Sequence, residues 1–278
     1  LVGDEKQLLP ATCLEGSSLG TRSLFERLRH RGHSASILNV QYRMAPEISR
    51  FPRDYFYGMA LEDDGHALVA RTRRAFHCVL PPVLFLDIQS AEAEITSGSS
   101  ATSGIRKSMR NLEEVRVCVE LLRRVHRVAS QVYERKVIED IGIITPYHGQ
   151  QRALRIALDK AKELKDWKPG LSEQVQTVDN CQGCEHEVIV FSSVGAPLDS
   201  SPKTMHDFLI LEERRLNVAF TRAKSLLIVL GRAKTLSQSL VWQKFIEQTR
   251  RTPGSFHSLA SFDVFAKWCK QLEGRLTP

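Results

Sequence analysis

The chain has 278 residues, of which 42% are hydrophobic and 26% charged, as in ordinary soluble globular proteins. No apolar run approaches the ~20 residues needed to cross a bilayer, and the charged first residues do not resemble a signal peptide, so the composition argues against a membrane protein. The 39 Lys and Arg residues exceed the 32 Asp and Glu residues. The resulting net charge of +7 favours a polyanionic partner, although many proteins that bind no nucleic acid are as basic.

The six cysteines, at positions 13, 78, 118, 181, 184 and 269, show no spacing typical of a disulfide framework. We therefore expect a reduced, intracellular protein, located in the cytoplasm or the nucleus. Cys181 and Cys184 form a C-x-x-C pair with His186 just beyond it, a spacing that occurs in zinc sites. A structural zinc site needs a second pair of ligands at similar spacing, which the sequence lacks, so no metal site is predicted.

Five short runs of aliphatic and β-branched residues predict β-strands, at residues 37–40, 83–86, 141–144, 188–191 and 226–230. Near-continuous apolar strands are buried on both faces, which is typical of a parallel sheet covered by helices. Residues 111–131, Gln151 to Leu164 and Phe262 to Leu272 have the apolar spacing of amphipathic helices. We therefore predict an α/β fold with a doubly wound, mainly parallel sheet, whose ligands lie at the carboxyl ends of the strands.

Two segments near the start of the chain carry residue types suited to phosphate binding. The first is GDEKQLLP, residues 3–10, where Gln7 can present an amide to a phosphate, although a strand followed by an ordinary turn explains the segment equally well. The second is QYRMAPEI, residues 41–48, directly after the first predicted strand. There Arg43 can reach a phosphate with its fork of donors and Tyr42 offers a flat face to a base, although Tyr-Arg is also a common surface pair.

A third segment, VQTVDNCQGCE at residues 175–185, leads into the fourth predicted strand. Gly183 lets the backbone approach a ligand closely, and Glu185 can accept a hydrogen bond from a ribose hydroxyl or a water. Both residue types therefore suit a nucleotide site.

The fourth segment, RRLNVAFTRAK at residues 214–224, lies on a predicted helix before the strand 226–230. Arg215 and Arg222 are seven residues apart, so two helical turns are expected to place them on one face. That face is either a ligand-binding surface or a solvated basic surface, as most such charge runs are.

In this order, the four segments resemble motifs III, IV, V and VI of superfamily 1 helicases. Their sequences are most similar to those of the Upf/senataxin-like subfamily, whose members carry QYRM-x-P, TVD-x-x-QG-x-E and RRLNVA-x-TRAK. A fifth match, Ile144 to Tyr147 followed by Gln150, resembles the TPY segment between motifs IV and V. The resemblance extends from residue 1 to about residue 231. It implies the second RecA-like domain of a P-loop NTPase, the C-terminal motor half of an ATP-dependent helicase or translocase acting on single-stranded RNA or DNA.

The resemblance also implies a role for each matching residue. In the nucleotide cleft, Gln7 would sense the γ-phosphate, and Arg43 and Arg222 would act on it as arginine fingers. Tyr42 would lie against the base and Glu185 would meet the ribose. The residues expected to contact the nucleotide are Tyr42, Gly183, Glu185 and Arg215. Those expected to contact the nucleic-acid backbone are Thr145, Pro146, Tyr147 and Thr177.

The resemblance divides the chain into three parts. Residues 1–10 are expected to end the preceding first RecA-like domain, residues 11–236 to form the second, and residues 237–278 to form a C-terminal helical extension. The sequence contains no G-x-x-x-x-G-K-[ST], so the phosphate loop and the ligands of the Mg²⁺ that accompanies ATP are expected in the first domain, upstream of Leu1. The chain alone is therefore expected to hydrolyse no ATP.

A second interpretation is a catalytically inactive module, derived from a helicase, that binds nucleic acid or protein. It is favoured by the divergence of motif III, where Glu5 replaces the His usual in the family, and opposed by the intact Arg43, Gln182, Glu185 and Arg222. The partners implied by the helicase interpretation are single-stranded RNA or DNA and the first RecA-like domain of the same protein, with no membrane.

Overall fold

A computed structural model describes residues 1–8, 23–65, 80–90, 93–97, 107–129, 140–164, 170–195 and 212–276. Helices within these ranges are α1 (Leu24–His30), α2 (Pro46–Tyr55), α3 (Leu112–Ala129), α4 (His148–Lys160), α5 (Glu213–Phe220), α6 (Ala233–Leu236), α7 (Leu240–Arg251) and α8 (Phe262–Leu276), with a 3-10 turn at Lys162–Leu164. Strands are β1 (Val40–Gln41), β2 (Glu62–Asp63), β3 (Val83–Ile88), β4 (Glu94–Ser97), β5 (Lys107–Arg110), β6 (Ile141–Thr145), β7 (Val175–Thr177), β8 (His186–Ser192), β9 (Ala223–Gly231) and β10 (Phe256–Leu259).

The centre of the fold is a six-stranded sheet in the order β10-β3-β9-β8-β6-β7, in which every neighbouring pair of strands is parallel. Four of the five predicted apolar runs form β3, β6, β8 and β9. These strands are buried along most of their length. The predicted parallel α/β sheet is therefore confirmed.

Helices cover both faces of this sheet, because successive side chains of a strand point to opposite sides. In β8, Val190 packs on one side and Phe191 on the other. Helices α3, α4 and α8 cover the first face, with a core that includes Leu122, Leu154, Val190 and Phe265. Helices α2, α5 and α7 cover the second face, with a core that includes Phe51, Phe191, Phe220 and Trp242. The sheet is thus doubly wound, as predicted.

One predicted strand does not join the sheet. Val40–Gln41 pairs with Glu62–Asp63 in a separate two-stranded sheet, and Ile37 and Leu38 are 67% and 85% exposed. The prediction of a buried strand at residues 37–40 is therefore wrong. Four apolar residues have the composition of a buried strand but are too few to show a period, so composition alone does not determine whether they are covered.

The helix predicted to carry residues 214–224 is shorter than expected. It ends at Phe220, and Arg222 lies in the turn that leads into β9. The prediction that Arg215 and Arg222 share a helical face is therefore wrong. Two side chains satisfy the last carbonyl groups of the helix. Thr221 Oγ1 donates to the Asn217 carbonyl at 2.7 Å, and Arg222 Nε donates to the Val218 carbonyl at 2.9 Å.

The other amphipathic segments form helices close to their predicted bounds, as α3, α4 with the 3-10 turn, and α8. Residues 237–278 contribute more than the predicted helices, because β10 pairs with β3 at the edge of the central sheet. Trp242 and Phe245 of α7 also belong to the core of the second face. Within the described ranges, no helix combines the length and the apolar character needed to cross a membrane.

Candidate functional site

Three residues predicted to contact nucleotide meet at the edge of the sheet where the strands begin, here called the amino edge. Glu185 directly precedes β8 and Arg222 directly precedes β9. Arg43, from the segment before α2, donates from Nε to Glu185 Oε2 at 2.8 Å and from Nη1 to the Thr221 carbonyl at 3.0 Å. The fold class predicts ligands at the carboxyl ends of the strands, whereas these three residues lie at the opposite edge.

Glu185 is held between two cations. Its Oε2 accepts from Arg43, and its Oε1 lies 2.8 Å from Lys224 Nζ. Hydrogen bonds from Lys224 and Arg43 lower the pKa of Glu185 to about 2. The carboxylate is therefore ionised at neutral pH, and its preferred partners are cations or hydrogen-bond donors.

Arg222 is buried beside this pair and is only 3% exposed. Its Nε donates to the Val218 carbonyl, its Nη1 to the Cys184 carbonyl at 3.3 Å and its Nη2 to Thr221 Oγ1 at 3.0 Å. Burial, and then the neighbouring Arg43 guanidinium, lower the pKa of Arg222. Arg43 and Lys224 thus bind one carboxylate, and Arg222 lies next to Arg43. The resulting excess of positive charge suits an anion with several oxygens, such as a phosphate chain. We call these three basic residues, together with Glu185, the Glu185 cluster.

Two features beside the Glu185 cluster are suited to the rest of a nucleotide. Gly183 has a φ of +91°, a conformation that favours glycine, and the space where a Cβ would lie is open. The backbone there is accessible to a ligand. Tyr42, next to Arg43 in the chain, is 62% exposed, so its ring presents an open apolar face.

The remaining residues predicted for the nucleotide cleft are held by partners outside the Glu185 cluster. Arg215 Nε donates to Glu212 at 2.7 Å, and its guanidinium forms an ion pair with Asp179. Gln7 Nε2 donates to Asp4 Oδ2 at 2.7 Å. Arg215 therefore connects α5 to the segment after β7, whereas Gln7 belongs to a separate hydrogen-bond network.

The four residues predicted to contact nucleic acid lie together at the opposite, carboxyl edge of the sheet. Thr145 ends β6, Thr177 ends β7, and the two are direct partners in the ladder. They are 0% and 1% exposed, and neither hydroxyl has a hydrogen-bond partner within the described residues. Pro146 and Tyr147 follow directly and are also buried. The structure therefore brings these residues together, but it exposes almost none of their side-chain surface.

Residues 178–185, here called the crossover segment, connect the two edges. Thr177 is level with the end of β6, whereas β8 begins beside the start of β6. The segment therefore returns along the length of β6, five residues or roughly 16 Å. Val178 and Cys181 pack into the core of the second face and anchor it. One short covalent segment thus links Thr177 at the carboxyl edge to Glu185 at the amino edge.

The C-x-x-C pair belongs to this crossover segment. Cys181 Sγ donates to the Val178 carbonyl at 3.2 Å, and Cys184 Sγ lies 3.5 Å from Gln176 Oε1. His186 Nδ1 lies 2.7 Å from the Asp140 carboxylate. In the part of the chain that the structure describes, no group of three or more His, Cys, Asp or Glu side chains is arranged to hold a metal ion.

Sequence reasoning did not single out three residues of these networks, namely Lys224, Asn217 and Tyr57. Lys224 and Asn217 lie within the segment RRLNVAFTRAK. The close match of this whole segment to the family motif indicates that residues other than its arginines are also functional candidates. Tyr57 carried no signal, because an aromatic residue after a helix is usually a packing residue.

Comparison with known proteins gives a consistent result. Residues 20–234 match the model of the AAA_12 family, described as an AAA domain. The probable helicase MAGATAMA 3 of Arabidopsis thaliana is 36% identical over 258 residues, which cover 90% of this chain and 29% of that protein. Helicase SEN1 of Saccharomyces cerevisiae is 35% identical over 261 residues, covering 90% of this chain and 11% of that protein. The ATP-dependent helicase upf1 of Schizosaccharomyces pombe is 31% identical over 277 residues, covering 95% of this chain and 27% of that protein.

The matched region includes the whole Glu185 cluster and the crossover segment. The chain belongs to the AAA_12 family. Its resemblance to superfamily 1 helicases of the Upf/senataxin-like type is therefore confirmed, and this AAA_12 chain is a helicase domain with a RecA-like α/β fold. It spans between 11% and 29% of the length of the three relatives named above.

Proposed function

We propose that this domain is the C-terminal motor half of an ATP-dependent helicase or translocase that moves on single-stranded RNA or DNA. In this proposal it completes an ATP site against a first RecA-like domain of the same protein, in the cytoplasm or the nucleus. The observation that carries the proposal is the Glu185 cluster, in which Arg43 and Lys224 bind one ionised carboxylate and the buried Arg222 lies next to Arg43. The exposed ring of Tyr42 and the open backbone at Gly183 complete a surface suited to a nucleotide.

The Glu185 cluster suggests how the site responds to its substrate. Arg43 has one exposed carboxylate partner, Glu185, and a phosphate chain offers it oxygens of higher charge density. When Arg43 turns from Glu185 to the γ-phosphate, the carboxylate loses one of its two cations and can accept from a ribose hydroxyl. Phosphoryl transfer spreads negative charge over the transferred group, so fixed guanidinium groups such as Arg43 and Arg222 stabilise its transition state.

The residues fit the anion and the base but not the metal. Within the described ranges, no group of three or more His, Cys, Asp or Glu side chains is arranged to hold a metal ion, whereas the positive Glu185 cluster suits the phosphates. We therefore expect the Mg²⁺ ligands and the phosphate loop on the first domain. The Mg²⁺ would neutralise charge between the β- and γ-phosphates. Residues 1–278 alone should then hydrolyse no ATP.

The crossover segment suggests how nucleotide state reaches the nucleic acid. Its end at Glu185 lies at the proposed ATP site, and its start at Thr177 lies beside Thr145 at the carboxyl edge. A displacement of Glu185 is transmitted along eight residues that are anchored in the core by Val178 and Cys181. We propose that Thr145, Pro146, Tyr147 and Thr177 contact the nucleic-acid backbone through their main-chain groups, because their side chains are buried, and that this contact changes with the state of the ATP site.

A second candidate is an inactive helicase-derived module that binds nucleic acid or protein. One observation favours it, since Arg222 uses three of its donor nitrogens on acceptors within the domain. In that case Arg222 stabilises the domain and makes no contact with a phosphate. The two candidates differ in their response to substitution of Arg43, which is partly exposed and can leave its partners without unfolding the domain.

The test is nucleic-acid-stimulated ATP hydrolysis by the full-length protein carrying Arg43→Ala. An arginine finger contributes ~10³ to 10⁵ in turnover, so hydrolysis should fall by at least about a thousandfold while single-strand binding persists. Arg43→Lys should recover little, because an ammonium group cannot reproduce the planar fork of donors. Arg251→Ala is the matched control, since Arg251 is an exposed arginine at the end of α7. Equal turnover in the Arg43→Ala and Arg251→Ala variants would refute the proposed site.

A further inference from the structure

The segment that carries Gln7 is attached to the helix that leads to Arg222. Asn217, in α5, donates from Nδ2 to the Lys6 carbonyl at 2.9 Å and to the Tyr57 hydroxyl at 2.9 Å. Tyr57 donates to Asp4 Oδ2 at 2.7 Å, and the same oxygen accepts from Gln7 Nε2 at 2.7 Å. A continuous chain of hydrogen bonds therefore runs from α5 to the amide of Gln7.

The direction of each bond in this chain is fixed by its neighbours. A backbone carbonyl only accepts, so the Asn217 side chain must turn its Nδ2 toward Lys6. The Tyr57 hydroxyl then accepts from Asn217 and uses its one proton on Asp4. Asp4, as a carboxylate, only accepts, so it binds the Nε2 side of the Gln7 amide. The amide plane of Gln7 is consequently set by groups outside its own segment.

Burial gives these bonds energetic weight. Asn217 is fully buried, and its Oδ1 has no hydrogen-bond partner within the described residues. An unsatisfied buried acceptor destabilises a protein, so it is tolerated where the other end of the side chain is needed. Burial, and then the hydrogen bond to Asp4, raise the pKa of the Tyr57 hydroxyl above its usual range, so the hydroxyl keeps its proton at neutral pH. It therefore remains the donor in its bond to Asp4 while it accepts from Asn217.

A second connection holds the same segment against α5. Glu5 forms an ion pair with Arg29 of α1 at 3.3 Å, and Glu26 of α1 forms one with Arg214 of α5 at 2.9 Å. Arg214 and Asn217 are three residues apart and lie on one side of α5. Helix α5 thus contacts the first residues of the chain directly and through α1.

We infer that Tyr57 and Asn217 are positioning residues that set the orientation of Gln7 according to the position of α5. Val218, the residue after Asn217, accepts a hydrogen bond from Arg222. The proposed sensor Gln7 and the proposed arginine finger Arg222 are therefore both connected by hydrogen bonds to the same turn of α5. A movement of α5 would therefore turn both groups together. This inference rests on the proposed function, because it assumes that Gln7 and Arg222 act on the γ-phosphate.

The test compares Tyr57→Phe with Tyr55→Phe in the full-length protein. The two tyrosines are a matched pair, because both rings pack against the same core and both hydroxyls donate to a carboxylate at 2.7 Å. Tyr55 donates to Glu213, outside the Gln7 network. In nucleic-acid-stimulated ATP hydrolysis, Tyr57→Phe should lower kcat about tenfold with the KM for ATP within about twofold, which is the scale of one hydrogen bond to a charged group. Tyr55→Phe should leave both within about twofold.

A double-mutant cycle with Gln7→Ala shows whether Tyr57 acts through Gln7. If it does, Tyr57→Phe has no further effect on kcat once Gln7 is replaced. An equal decrease of kcat in both backgrounds would overturn the positioning role. If Gln7→Ala itself leaves turnover unchanged, the proposed role of Gln7 fails and this inference fails with it. If Gln7→Ala abolishes turnover and Tyr57→Phe matches Tyr55→Phe, the positioning role alone fails.

A change in stability is separated from a change in positioning by a second variant. Thermal midpoints of Tyr57→Phe and Tyr55→Phe should agree within a few degrees. If they do not, Asp4→Ala tests the same network from a partly exposed residue near the start of the chain. Asp4→Ala should lower kcat as Tyr57→Phe is expected to, and wild-type kcat in Asp4→Ala would overturn the inference.

Discussion

Arg222→Ala should have two effects that can be measured separately. The side chain is 3% exposed and donates three hydrogen bonds, two to Val218 and Thr221 at the end of α5 and one to the Cys184 carbonyl of the crossover segment. A hydrogen bond from a charged group contributes ~1.5–3 kcal/mol, but the wild-type protein also bears the cost of burying the guanidinium. The net loss in the free energy of unfolding should therefore be about 2–4 kcal/mol, which lowers the thermal midpoint of a domain of this size by on the order of 10 °C.

The second effect concerns catalysis. At a temperature where Arg222→Ala is still folded, turnover per folded molecule in the full-length protein should fall by ~10³ or more, because the proposed arginine finger is absent. Compared with Arg222→Ala, Arg222→Lys should restore part of the thermal midpoint but raise turnover by less than about tenfold. One ammonium group cannot satisfy the three acceptors. Arg251→Ala controls for loss of a surface charge and should change neither quantity appreciably.

Two results would refute this reasoning, one for the effect on stability and one for the effect on catalysis. An unchanged midpoint in Arg222→Ala would show that the three hydrogen bonds contribute no net stability. A lowered midpoint with wild-type turnover per folded molecule would show that Arg222 only joins α5 to the crossover segment, and the assignment of an arginine finger would be wrong. Calorimetry and single-turnover hydrolysis on the same preparation distinguish these outcomes.

Four further predictions concern stability and binding. Burial raises the pKa of Glu114 to about 7 from 4.5, so the folded state binds this proton more tightly than the unfolded chain. The free energy of unfolding should therefore fall as pH rises from about 4.5 to 7, by on the order of 3 kcal/mol. A plot of the urea midpoint of unfolding against pH should be flatter for Glu114→Gln than for the exposed control Glu173→Gln. Parallel curves for the two variants would contradict this prediction. Trp242→Ala should cost about 3–5 kcal/mol of stability, and removal of residues 237–278 should abolish cooperative unfolding, because α7 and β10 belong to the main core. A sharp transition in the truncated chain would contradict that prediction. Binding of labelled homopolymers to residues 1–278 should be weak, tolerant of sequence and strongly weakened by salt, as expected for a chain of net charge +7. Binding that is insensitive to salt would argue against backbone recognition.

The parts of the fold that could be predicted are those determined by local composition. Residues 188–191 and 226–230 became the buried strands β8 and β9, because a strand covered on both faces has to be apolar almost throughout. The strands β7 and β10 were not predicted. Each lies at an edge of the sheet and has three or four residues, too few to show a pattern. Their pairing depends on distant strands, which a local pattern does not reveal.

In the candidate site, too, the sequence predicts which residue types take part but not how they are arranged in space. The motif sequences indicated that Arg43, Glu185 and Arg222 belong together, and the structure pairs Arg43 with Glu185 and places Arg222 next to Arg43. The end of α5 was misplaced because the residues up to Lys224 favour a helix, whereas the Thr221 hydroxyl competes for the carbonyl that would continue it. The network through Tyr57 was missed because it depends on a contact between residues 160 apart in the chain.

The position of β3 in the sheet has a consequence for synthesis of the protein on the ribosome. Both of its neighbours, β9 and β10, are made long after it. Asp87 of β3 accepts from the Ala233 amide and the Ser258 hydroxyl, 146 and 171 residues later. At ~5–20 residues per second, roughly 10 to 30 s separate the emergence of β3 from that of its last partner. During this interval Leu84, Phe85 and Leu86, fully buried in the folded domain, have no strand to pair with. A pause in translation before residue 223 should therefore prolong the exposure of this strand to aggregation.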